Sequence, residues 1–169
     1  MKSKIHATSA SELVKQYPKN NFKVMSKKIL LMLFIGMASV QNYAQNQYLK
    51  SGVAVQGYDV VAYFQNNKPI EGKSEISTKY NNATYFFSSE ENRAVFLKNP
   101  AKYAPQYGGY CAYGVSENHT SPTDPQAFTI VDDKLYLNYN LKVKELWSKD
   151  REQRIVKANE NWKTLNKKE

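Results

Sequence analysis

Cys111 is the single cysteine of the 169-residue chain, and it sits in a run of tyrosines and glycines, Y-A-P-Q-Y-G-G-Y-C-A-Y-G, at residues 103–114. His119 follows eight residues later; the other histidine, His6, lies near the start of the chain. A thiol near an imidazole is the chemistry of a soft-metal ligand pair for copper or zinc, or of a nucleophile and its base. Glycines such as Gly108 and Gly109 let a backbone approach a ligand closely, and the same glycines suit dense aromatic packing. Asp59 is the one acidic residue in the apolar stretch G-V-A-V-Q-G-Y-D-V-V-A-Y-F, so it either caps a turn or lines a pocket. Tyr58, Tyr63, Tyr107, Tyr110 and Tyr113 are candidates to ring such a pocket, with aromatic core as the alternative. His119 lies in a polar loop, S-E-N-H-T-S, where an ordinary exposed histidine is the competing reading.

Other chemistries leave no trace. The chain lacks a G-x-S-x-G turn, an H-E-x-x-H helix and a phosphate-cradling glycine loop. Cys111 with His119 as a catalytic dyad needs an orienting third group and an oxyanion site that nothing in the sequence singles out, so a binding role is favoured over an enzymatic one. Three classes stay open: a module that binds a metal ion or small ligand, a thiol-dependent redox protein or enzyme, and a structural or interaction domain without a ligand.

The formal charge of +9 suggests an anionic partner until its distribution is read. Residues 1–44 hold seven of the 24 basic residues and one of the 15 acidic ones, which leaves 17 and 14 in the rest, a net of +3. Those remaining charges are interspersed, so no basic patch for nucleic acid emerges. From Met25, a short basic region, an apolar run and A-Q at 44–45 have the form of a secretory signal peptide. The apolar run, residues 29–40, is shorter than the roughly 20 residues that span a bilayer. An exported protein, periplasmic or extracellular, without a stable membrane span after cleavage is expected. Residues 1–24 lack a hydrophobic period and read as an over-extended start or a disordered tail, and residues 45–169 as one domain with one core. A lone cysteine in such a domain forms no internal disulfide.

The elements that must position these residues follow from local patterns. Residues 52–64 read as an extended segment around a turn. Residues 77–87 read as a hairpin turning at Asn81-Asn82, and Ser88 with Glu91 reads as the start of a helix that Pro100 ends. A second hairpin turns at Asp132-Asp133 between residues 127–131 and 134–139. Leu141, Leu146, Trp147, Ile155, Ala158, Trp162 and Leu165 recur at helical spacing, which predicts one or two amphipathic helices packed on the sheet. The fold class is α+β, built from small antiparallel hairpins and short helices.

The stretch T-Y-F-F-S-S-E-E-N-R-A-V-F-L-K-N-P-A-K-Y, residues 84–103, resembles the core of the YHS domain, and G-Y-D-V-V-A-Y-F, Y-G-G-Y-C-A-Y-G and K-L-Y-L-N-Y-N resemble the longer exported form of that family. The resemblance covers about residues 53–162. It implies the fold and an association with metals, because family copies joined to copper-transporting ATPases carry a C-x-x-C pair and two further cysteines. Those last two positions correspond here to Ser88 and Asn92, and the earlier pair to the region of residues 57–62; none is a cysteine. Neither a protein partner nor the ligand's identity follows from these residues.

Overall fold

The computed structural model describes residues 46–167; the segments expected to be a tail (1–24) and a signal peptide (25–44) lie outside the described residues. Two short strands, β1 (Leu49–Lys50) and β2 (Val53–Ala54), open the domain, and a 3-10 turn (Val55–Gly57) leads to helix α1 (Val60–Asn66). The hairpin β3 (Lys73–Tyr80) and β4 (Ala83–Phe87) follows, then α2 (Glu90–Lys98), α3 (Pro100–Tyr103), a 3-10 turn (Gln106–Gly109) and α4 (Ala112–Ser116). A second hairpin, β5 (Asp124–Val131) and β6 (Lys134–Asn138), precedes α5 (Leu141–Lys149) and α6 (Arg151–Leu165). The first sheet has the order β1-β2-β4-β3, with β2 parallel to β4 and the other pairs antiparallel; β5 and β6 form a separate sheet. No helix among the described residues is long and apolar enough to cross a membrane.

Both hairpins turn where expected. Asn81 and Asn82 have φ of 47° and 64°, Asp132 and Asp133 of 48° and 55°, and the strands pair directly across each dipeptide, Tyr80 with Ala83 and Val131 with Lys134. Asn and Asp tolerate the left-handed region that a two-residue loop between twisted strands demands.

Two local expectations are corrected. Residues 60–64 are helical, not extended: V-V-A-Y is buried on all sides, which removes the period that separates a helix from a strand, and the Asp59 side chain caps the first turn at Val61 N (2.9 Å) and Ala62 N (3.3 Å). Helix α2 is capped by Ser89, whose Oγ accepts from Asn92 N at 3.2 Å; Ser88 lies one residue outside the helix and serves another purpose. Pro100 occupies the first turn of α3 after Asn99, which closes α2 and caps α3.

The interior is divided, where one core was expected. Val60, Val61, Tyr63, Tyr85, Phe87 and Phe96 pack with Leu135 and Leu137 in one cluster, while Tyr107, Val115, Trp147 and Ala158 pack with Tyr136 in the other. Alternate residues of a strand point to opposite faces. Strand β6 is therefore a wall between the clusters, buried on both sides, with the YHS-like segment on one side and the C-terminal helices on the other. Within the first cluster Phe96 stacks among Tyr80, Tyr85 and Phe87 at centroid distances of 5.9, 4.9 and 5.2 Å.

Candidate functional site

Asp59 sits at the junction of α1, β4 and α2 with no exposed surface. Its Oδ1 receives the two α1 amides, and its Oδ2 accepts from Ser88 N (2.8 Å), Ser88 Oγ (2.6 Å) and Asn92 Nδ2 (2.7 Å). Five donors thus converge on one buried carboxylate, and no basic side chain among the described residues forms an ion pair with it. Ser88 and Asn92 stand at the positions that the resemblance aligns with thiolate ligands, and Asp59 falls in the region of the earlier pair. The cluster does not suit a cation: a thiolate site needs soft, negative sulfur ligands, whereas here N–H and O–H dipoles point their positive ends at oxygens already occupied. The carboxylate stabilises the junction from within, and no chemistry routed through a metal follows from these residues.

Cys111 is 1% exposed and is the residue before α4. Its Sγ accepts from Gly114 N at 3.5 Å and lies 3.7 Å from Asn138 Oδ1, which also accepts from Tyr113 N at 3.2 Å. Burial pushes the thiol above its ordinary value and outweighs the opposing backbone N–H groups of Gly114, Tyr139 and Tyr113. His119 is exposed, with Nδ1 3.3 Å from the Glu117 carbonyl and its ring and carbonyl packed over Gly114, where an added Cβ would meet them at 3.2–3.3 Å. No group of three or more His, Cys, Asp or Glu residues among the described residues is placed to hold a metal ion.

The five tyrosines are distributed rather than gathered around one space. Tyr63 donates to the Pro125 carbonyl (3.0 Å) inside the first cluster, and Tyr58 reaches Glu71 (3.2 Å). Tyr110 donates to Asn46 Oδ1 (3.0 Å), and Tyr113 lies under the Arg154 guanidinium at 4.0 Å, which also meets Glu117 and Asp150. Burial raises the pKa of Tyr63, Tyr107 and Tyr110. The Gly109 carbonyl accepts from Thr123 Oγ1 at 2.9 Å.

Tyr107 and Gly108 do border a cleft, of about 300 Å3, together with Tyr80, Asn81, Gln106, Asn159 and Trp162. Both residues adopt left-handed backbone, with φ of 54° and 59°. For an aromatic residue that conformation is strained; it is held by the Tyr107 hydroxyl donating to Asn159 Oδ1 (3.0 Å) and by the ring facing Trp162 at 5.9 Å. A side chain at position 108 would strike the Asn46 carbonyl at 2.1 Å, and Tyr48 N donates to the Gly108 carbonyl, so the chain at residues 46–48 braces this wall. Of the cleft residues, sequence reasoning singled out only Tyr107 and Gly108. Trp162 read as one face of an amphipathic helix, and Asn159, 52 residues from Tyr107, carried no local signal.

Residues 61–107 match the family model described as YHS domain. No curated protein and no solved structure matches the chain.

Proposed function

From the YHS domain that this chain carries over residues 61–107, we propose an exported binding module that takes a small organic ligand in the Tyr107 cleft. The cleft carries the reading: its volume lies at the lower end of the range for small-molecule sites, and it joins the YHS segment, through Tyr80, Asn81 and Tyr107, to the C-terminal helix through Asn159 and Trp162. The signal-peptide pattern at residues 25–44 supports export to the periplasm or beyond. Copper or zinc held by Cys111 and His119 has weaker support, because one side chain is buried in hydrogen bonds and the other faces solvent. Thiol chemistry at Cys111 meets the same burial.

The test is native mass spectrometry of the mature protein after incubation with the small-molecule extract of its source cells. Bound organic mass is expected, and it is lost in Ala101→Trp, which fills the cleft from an exposed wall position. A protein that binds no organic mass, or binds it equally well with the cleft filled, contradicts the proposal.

A further inference from the structure

The lining of the Tyr107 cleft also restricts the chemistry of its occupant. None of its ten lining residues carries a formal charge. A phosphate or carboxylate ligand would find no cation to pair with, and a metal ion no carboxylate, thiolate or imidazole. The polar side-chain groups are the hydroxyls of Tyr80 and Tyr107 and the primary amides of Asn81, Gln106 and Asn159, each able to donate and accept. Asn81 and Asn159 are exposed, whereas the rings of Tyr80 and Trp162 are half-buried between the YHS segment and α6. A wholly apolar guest would strip water from the amides without returning hydrogen bonds, which is unfavourable.

We infer that the cleft takes a neutral ring compound bearing several hydroxyl or amide groups, the chemistry of a sugar, either free or at the end of a glycan chain. The apolar face of the ring packs on Trp162 and Tyr80, and its polar edge exchanges hydrogen bonds with the three amides. This inference rests on the binding-module reading above and narrows it. The strained backbone at Tyr107 and Gly108, held by the Tyr107–Asn159 hydrogen bond and braced by residues 46–48, makes the wall rigid before the ligand arrives, which lowers the ordering cost of binding.

Two-dimensional NMR of the mature protein tests it, because the two tryptophan indoles report on different places. Trp162 lines the cleft and Trp147 is fully buried in the second cluster. Titration with neutral hexoses, N-acetylhexosamines and their oligosaccharides is compared with sugar acids and with indole. The expected result is a saturable shift of the Trp162 indole signal with neutral sugars, little change at Trp147, and affinity reduced several-fold, up to about tenfold, in Asn159→Ala, the loss of a well-placed hydrogen bond to a neutral group. Because Asn159 also holds Tyr107, Ala101→Trp provides a second variant, in which the shift disappears. A tighter response to oligosaccharides identifies a glycan end as the source, and a tighter response to the monomers identifies free sugar. Shifts only with sugar acids or only with indole overturn the inference. Absence of any sugar response in a protein whose cleft still captures organic mass from the cell extract also overturns it, while leaving the binding-module proposal standing.

Discussion

Asp59→Ala is expected to lower the unfolding free energy by about 4 kcal/mol or more, measured by denaturant titration, because it strands several buried donors at once. The two buried α1 amides lose their cap, the buried Asn92 amide loses its acceptor, and so do the two part-buried donors of Ser88. Set against a typical total of about 5–15 kcal/mol, that loss removes from about a quarter to most of the stability. Graded variants keep the expectation readable if Asp59→Ala does not fold. Ser88→Ala removes one hydroxyl donor and is expected to cost about 1 kcal/mol. Asp59→Asn keeps the shape but turns one acceptor into a donor facing other donors, and should cost more than Ser88→Ala and less than Asp59→Ala. Equal, small effects for all three would mean that the junction is held by the surrounding apolar packing alone.

Cys111 is expected to react with a small alkylating reagent about a thousandfold more slowly in the native protein than in denaturant, since reaction must wait for an opening of about 4 kcal/mol at roughly 1.4 kcal/mol per tenfold. The sign with pH is also fixed. The folded thiol holds its proton above the ordinary value of 9.0, so its contribution to stability is whole below that pH and falls as pH rises through the raised value, where the unfolded chain has already ionised. Buried Tyr63, Tyr85 and Tyr107 shift in the same direction for the same reason, so alkaline pH weakens the fold at both clusters. Native alkylation as fast as in denaturant would show the thiol to be accessible and return it to the list of reactive groups.

What the sequence disclosed and what it concealed divide by distance along the chain. Asn81-Asn82 and Asp132-Asp133 announce their turns because the required left-handed backbone is a property of those residues themselves. Ser88 and Ser89 are adjacent serines, and local rules fit either as the helix cap; the choice is made by Asp59, 29 residues earlier, which claims the Ser88 hydroxyl. The helical state of residues 60–64 was hidden for a related reason: a short run buried all round shows no period, so its cap at Asp59 was the sole local clue. The YHS likeness pointed to the α+β fold and to the absence of its thiolates, but not to the carboxylate joint that stands in their place. The cleft was half legible: Tyr107 and Gly108 stood out by type, whereas Asn159 and Trp162 reach it only through the docking of α6.

That joint is best tested by elemental analysis of the untagged protein, residues 45–169, produced in metal-replete medium, combined with its melting temperature before and after chelation and after addition of Zn(II) or Cu(I). A fold closed by Asp59, Ser88 and Asn92 retains well under one metal ion per chain and melts at the same temperature in all three states. Stoichiometric metal whose removal lowers the melting temperature would contradict it.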